Sequence, residues 1–278
     1  MRKSKNIGKA EGLIYSFLGL LWAIGCIFPI WKVFCATFSA ETSNLTTVML
    51  PDSFSNGISK LYTALTSVNV LGATVDTAIY TFISIVGMLI MCSLASYEFS
   101  FYKFPGRKLL FSVLMGAMML PFILYVVPLY RFVYQLGLTD TYLGVAIPIM
   151  ISPMSVFILN QFSETIPTSL IESARIDGAG HFQIYFKIYL PLVRNGLITV
   201  TVLMFLRSWG SYMWPALVTG NNVLPVSRTI ANLLSEFFYV DPRVKMAAML
   251  LAMIPPMVIY VIFQKRVIEG MTMSSVKG

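Results

Sequence analysis

The stretch Thr77–Tyr97, TAIYTFISIVGMLIMCSLASY, contains no charged residue and is bounded by Asp76 and Glu98. A helix that crosses a bilayer needs about 20 mostly apolar residues, and this run supplies that length. Working outward, the same pattern recurs between other charges: Gly12–Trp31, Leu109–Tyr130, Thr141–Ser163 and Met246–Gln264. A sixth apolar stretch, Asn195–Val218, is interrupted only by Arg207. A cation inside a span is costly in lipid, so Arg207 should face protein or a water-filled path. The reading is an all-α polytopic membrane protein with six transmembrane helices at about 12–35, 75–97, 109–131, 140–163, 192–218 and 246–266. Residues 1–278 form a single membrane domain, with no internal repeat and no low-complexity linker.

Composition agrees. Of 278 residues, 57% are hydrophobic and 12% charged, with a mean hydropathy of +0.76. A soluble domain carries about 25% charged residues, so this chain has too little charge to cover a water-facing surface. The net charge of +8 is scattered between long uncharged runs, which excludes a nucleic-acid-binding stripe. Its distribution orients the chain instead. If the N-terminus is cytoplasmic, thirteen Lys and Arg fall in inside segments and six outside, with Arg207 the twentieth. The positive-inside rule then places both termini in the cytoplasm. The first apolar run is too long for a signal-peptide core, so it is read as a retained span.

The outside segments are unequal. Residues 39–73 start with the turn signal Pro51-Asp52-Ser53 and continue as an amphipathic piece around Ile58–Leu65. The 131–140 loop is short, and the 219–244 loop contains a helix around Thr229–Phe238. The inside segments are short except one. Residues 164–191 are too polar for a span and too long for a turn. Ser169 and Glu172 have capping-box spacing, and Gly178 and Gly180 can end the helix that follows. A second short helix, Phe182–Tyr189, leads to Pro191. Ile171, Ala174 and Gly178 share one side of the first helix, where small residues let another surface come close. Phe182, Phe186 and Tyr189 supply the apolar side of the second. An interfacial hairpin resting on lipid would present several Lys and Arg, whereas here Arg175 and Lys187 sit beside Glu172 and Asp177; docking to a cytoplasmic partner fits better.

At this hairpin a resemblance emerges. Glu172-Ser173-Ala174-Arg175-Ile176-Asp177-Gly178-Ala179-Gly180, followed by Ile188-Tyr189-Leu190-Pro191, resembles the EAA loop of ABC-importer permeases, with Ser173 in place of the first Ala. The Ile-Asp-Gly-Ala variant resembles the carbohydrate-uptake branch. Phe104-Pro105-Gly106-Arg107, Met119-Leu120-Pro121 and Gly137–Tyr142 also fit. The ending, Gly270-Met271-Thr272 to Val276-Lys277-Gly278, is similar to the tail of the shorter permease of maltose-type systems. The match covers roughly residues 75–278.

What the resemblance implies is a permease subunit of an ATP-driven importer of sugars or oligosaccharides in the bacterial cytoplasmic (inner) membrane. Its partners would be a second, non-identical permease, a dimer of ATPase subunits and an extracytoplasmic sugar-binding protein. By position, Glu172, Ser173, Ala174, Asp177, Gly178, Ala179, Gly180, Phe182 and Phe186 would lie at the ATPase contact. Val276, Lys277 and Gly278 would touch the ATPases through the tail. The chain would not itself be an enzyme. It has no Gly-x-x-x-x-Gly-Lys-Ser/Thr loop, so ATP and Mg belong to the partner ATPase and this chain carries no cofactor. Its single histidine, His181, and the unpaired spacing of Cys26, Cys35 and Cys92 indicate no metal site.

Aromatics beside an embedded cation suit a sugar path. Arg207, Trp209 and Tyr212 are the candidates, and Arg207 also suits an acidic sugar. Trp214 reads as an ordinary interface aromatic. The following loop, with Gly220, Asn221 and Asn222, either reaches into the binding protein or is only a turn. Alternatives for the whole chain are the same importer role with a non-sugar cargo (a glycerol phosphodiester, polyamine or peptide), an ion-driven transporter and an intramembrane enzyme. The ion-driven transporter needs carboxylates within the spans, and none lies inside the six runs. The intramembrane enzyme lacks a nucleophile–base pair or metal ligand set.

Overall fold

The computed structural model describes residues 9–235 and 239–273, and every regular element in them is helical. In chain order these are α1 (Lys9–Thr37), α2 (Phe54–Thr66), α3 (Val70–Phe101), α4 (Arg107–Ala117), α5 (Phe122–Gln135), α6 (Tyr142–Met150) and α7 (Pro153–Ser163). Then follow α8 (Thr168–Ile176), α9 (His181–Ile184), a π-helical turn (Tyr185–Tyr189), α10 (Leu190–Leu192), α11 (Arg194–Trp209), α12 (Met213–Val218), α13 (Val226–Leu234) and α14 (Pro242–Met273). Three of them are long and apolar enough to cross a membrane, and three bent pairs raise the number to as many as six.

The bends have local causes. Between α4 and α5 the chain turns by 103° across Met118–Pro121. Pro121 disfavours a helical Leu120 and itself caps α5 with extended backbone. Between α6 and α7 the 45° bend lies at Ile151 and Ser152, immediately before Pro153. The Ser152 hydroxyl accepts the Ser155 amide at 3.2 Å, which caps α7. The third bent pair, His181–Leu192 with Arg194–Trp209, turns by 73° at Val193.

The chain divides into two compact units. The first comprises residues 1–70 and 232–253. Within it, the amphipathic piece expected around Ile58–Leu65 is helix α2, which starts earlier, at Phe54, with Ser53 as N-cap to the Asn56 amide. Arg243, at the start of α14, is 7% exposed and fastens the 39–43 segment. It donates to Ser39 Oγ at 3.1 Å and to the carbonyls of Ala40, Glu41 and Ser43 at 2.7, 3.1 and 2.6 Å. Lys60 bridges Glu41 and Asp241 at 2.9 and 2.8 Å. Those hydrogen bonds, donated by the ammonium to Asp241 and Glu41, raise the Lys60 pKa above its ordinary value.

The second unit comprises residues 71–231 and 254–278. Its core is three successive clusters along α3. Tyr80 packs with Val145, Trp214 and Val223. Two turns on, Met88 and Cys92 meet Leu159, Val200 and Met204. Beyond these, Tyr97 meets Ile171, Ile184, Tyr185 and Tyr189. Helix α11 lies close against α7: a Cβ on Gly196 would stand 2.8 Å from the Phe162 ring.

The sequence places the third and fifth spans at 109–131 and 192–218; in the structure those stretches hold broken helices. Charge-bounded runs mark where lipid-compatible sequence lies, but Pro121 and Gly210 act on the backbone within an unbroken apolar pattern. Helix α3 also starts earlier than its run, so Asp76 lies within the helix. The helix expected at Thr229–Phe238 starts at Val226 and ends at Leu234, and Glu236–Phe238 lie outside the described residues.

Candidate functional site

The hairpin 164–192 is built on a helix stop that needs glycine. The Gly178 amide donates to Arg175 O at 3.0 Å and the Ala179 amide to Ala174 O at 2.9 Å, with Gly178 at φ +84°. This is the Schellman arrangement, and only glycine adopts the left-handed residue at no cost. Gly180 instead opens the next helix, its amide donating to Gln183 Oε1 at 3.1 Å. The start of α8 differs from expectation. No side chain caps it: Pro167 is the N-cap and the helix begins at Thr168, so Ser169 falls inside the first turn, where its hydroxyl is not the cap.

The hairpin's two faces separate cleanly. Ile171 is 2% exposed, and Ala174 and Ala179 pack with it on the cluster around Tyr97. The surface that comes close to this small-residue side is therefore the chain's own. Glu172, Ser173, Asp177, Gly178 and Gly180 are exposed. In the second arm Ile184, Tyr185 and Tyr189 face inward, while Phe182 and Phe186 are 76% and 60% exposed; the π-turn parts Tyr189 from the Phe182–Phe186 side. Ile176, at 86%, joins them on the outside.

Hydroxyls and rings fasten the inner face. Tyr185 OH lies 2.6 Å from Ser93 Oγ, Tyr189 OH 3.1 Å from Ser163 Oγ, and Tyr97 OH 2.8 Å from Tyr102 OH. The Tyr102 ring stacks on His181 at 5.1 Å, and the Arg175 guanidinium lies 4.5 Å from its centroid. His181 thus has a structural stacking role.

A second site forms where helices break. The α4–α5, α6–α7 and α11–α12 breaks all line one cavity of 830 Å³. Arg207 and Tyr212 line it together, with Tyr125, Phe122 and Trp214. Trp209 does not join them: it is 6% exposed and stacks on Phe205 at 5.3 Å. Trp214 is no headgroup aromatic. It is 3% exposed, and its indole N–H donates to Val145 O at 3.2 Å.

The third site is the loop after α12. The backbone amides of Gly220, Asn221, Asn222 and Val223 all donate to the Asp140 carboxylate, at 2.6, 3.0, 3.0 and 3.1 Å. Burial pushes the Asp140 carboxyl up, but these four donors outweigh it and hold its pKa below the ordinary range. Asp140 adopts φ +58°, and its own amide donates to Val218 O at 2.8 Å. Asp76 accepts from the Leu224 amide and the Tyr142 hydroxyl, both at 2.8 Å. Arg228 closes the loop with 2.8 Å bonds to the carbonyls of Thr219 and Gly220. A Cβ on Gly220 would lie 2.7 Å from Asp140 Oδ2, so glycine is required by close approach. The loop is thus a clamped turn that displays the exposed side chains of Asn221 and Asn222. Sequence reasoning missed Asp140, Asp76 and Arg228 as the clamp, because the contacting residues lie up to 148 positions apart. The one local signal was the 137–142 segment, singled out for resemblance alone.

Broken membrane helices around a cavity, with a polar hairpin projecting from the same unit, define a polytopic transport permease. The comparisons agree. The family described as "Binding-protein-dependent transport system inner membrane component" matches residues 87–272, and the chain belongs to it. The arabinooligosaccharides transport system permease protein AraQ of Halalkalibacterium halodurans is 28% identical over 91% of both chains. The sn-glycerol-3-phosphate transport system permease protein UgpE of Agrobacterium fabrum is 34% identical over 67% of both. Among solved structures, a chain of a bacterial ABC transporter involved in the import of the acidic polysaccharide alginate superposes with a TM-score of 0.81, at 21% identity. That match covers 93% of this chain and 98% of the other, and shows a shared fold. The protein is therefore a transporter subunit of the inner membrane.

Proposed function

We propose that this chain is one of two non-identical permeases in an importer of sugars or oligosaccharides, driven by a separate pair of ATPase subunits. The observation that carries the reading is the divided hairpin. Its inner face is bolted to α3 and α7 by rings and hydroxyls, while Ile176, Phe182 and Phe186 stand bare beside Glu172 and Asp177. Large exposed apolar groups ringed by charge mark a protein contact. A cytosolic ATPase gripping that outer face moves the inner face with it, and so moves the ends of α3 and α7. ATP and Mg act on that ATPase, and this chain supplies no cofactor.

In this reading both termini are cytoplasmic. The cavity around Arg207 and Tyr212 is this chain's share of the path, and Trp209 supports it from behind. The Asn221–Asn222 tip meets an extracytoplasmic binding protein, held at fixed height by Asp140. Val276, Lys277 and Gly278, which lie outside the described residues, are the tail's ATPase contact. The sugar cargo follows the kinship with AraQ; the kinship with UgpE keeps a small phosphate-bearing polyol as the second reading.

The test is Phe182→Asp with Phe186→Asp in the complete reconstituted complex. Both side chains are exposed, so the permease pair should still assemble while ATPase retention and cargo-stimulated ATP hydrolysis fall at least about tenfold. Retention and stimulation at the unsubstituted level contradict the coupling role.

A further inference from the structure

Arg207 is the one charged residue among the described residues that line the 830 Å³ cavity. It makes no hydrogen bond or ion pair with the described residues, and the hydroxyls of Tyr125 and Tyr212, which also line the cavity, have no described partner either. Arg207 lies 13 residues along α11 from Arg194, about 20 Å up the helix, inside the apolar run 195–218 read as a span, and it is exposed on this chain. A guanidinium at that depth is costly unless an anion meets it. The backbone adds to the same sign. Phe122, the first residue of α5, and Pro153, the first of α7, both line the cavity, so two helix N-termini open onto it. No side chain caps α5: the Leu124 amide donates to Pro121 O at 3.0 Å, and the Phe122 and Ile123 amides have no partner among the described residues. Discontinuous membrane helices present these positive ends to anionic groups. Among the described residues no carboxylate lines the cavity to offset them.

We infer that the cargo bears an oxyanion, a carboxylate or a phosphate on a carbohydrate-sized body, and that Arg207 selects it. The inference rests on the carbohydrate-importer reading and deepens it. The volume suits a bound organic molecule. Tyr125, Tyr212 and Phe122 offer ring faces and hydroxyls to a polyol, and the guanidinium fork matches a carboxylate or phosphate.

The experiment uses the complete importer in proteoliposomes with its own binding protein. It measures uptake of a neutral oligosaccharide, a uronate oligosaccharide of equal length and a sugar phosphate. The binding protein is common to all variants, so a change in the acidic-to-neutral ratio reports the permease. Arg207→Gln should lower that ratio at least about tenfold, while Arg207→Lys, which keeps the charge but loses the fork, should lower it by a smaller factor. The uronate and phosphate arms identify which oxyanion is carried. An unchanged ratio in Arg207→Gln, or wild-type uptake confined to neutral sugar, overturns the inference and leaves the importer reading standing. So does loss of permease pairing in Arg207→Gln but not in Arg207→Lys, which would assign the cation to the second permease. A wild-type complex that takes up and responds to no carbohydrate of any kind defeats the importer reading itself.

Discussion

The hairpin 164–192 and the loop 219–226 are both fastened to the second unit, but by different physics. The hairpin is held by buried rings: Tyr189 is fully buried, Tyr185 nearly so, and their hydroxyls reach Ser163 and Ser93. The loop is held by charge on backbone, four amides on Asp140 and one on Asp76. A packed aromatic contact is stiff and indifferent to pH and salt, as a part that transmits force requires. A carboxylate clamp fixes the position of a short turn without burying apolar surface, and it loosens when the carboxylate takes a proton.

The largest expected effect follows from that contrast. Tyr189→Ala should cost about 3 kcal/mol, the usual cost of removing a buried aromatic. A lower melting temperature of the purified permease, with cargo-stimulated ATP hydrolysis lost, would show that hairpin and spans move as one body. Next, Asp140→Ala leaves four amides without their charged acceptor and should speed hydrogen exchange at 220–223 at least about tenfold. The hairpin amides should not respond, and a change there would break the comparison.

The same clamp predicts a pH dependence of one sign. The folded pKa of Asp140 lies below its unfolded value, so its contribution is full at neutral pH. It declines only as the pH falls through the ordinary carboxylate range, near 3.9, and on past the lowered folded value. Exchange at 220–223 should rise in that window while the aromatic hairpin stays protected; parallel loss of both would contradict the distinction. Gly178→Ala forces a left-handed alanine and should cost about 1 kcal/mol in thermal unfolding. Tyr185→Phe removes only the bond to Ser93, again about 1 kcal/mol, and sharpens how much the hydroxyls add to the rings.

Much of the helical architecture could be read from the spacing of charges. The runs Thr77–Tyr97 and Met246–Gln264 lie wholly within α3 and α14. What was hidden depended on three dimensions. The convergence of three helix breaks on one cavity cannot be read from Pro121, Pro153 or Gly210 alone, because each signals only its own turn. Arg207 could be singled out because a charge in an apolar run has few allowed surroundings. Trp209 and Trp214 could not be sorted, since a residue's side of a helix depends on where that helix breaks. The hairpin's existence was legible; its orientation was not, because the π-turn at Tyr185–Tyr189 takes Tyr189 off the side it would share with Phe182 and Phe186 in a regular helix.

The central claim is that the outer face of the hairpin is gripped by an ATPase. The direct measurement places a photo-reactive residue at Ser173, an exposed position, and illuminates the intact importer in inside-out membrane vesicles. The account predicts a covalent adduct between the permease and the ATPase subunit, blocked transport after illumination, and protection of the hairpin from protease added on the ATPase side. No adduct, with position 173 open to a membrane-impermeant reagent from the extracytoplasmic side, would contradict it.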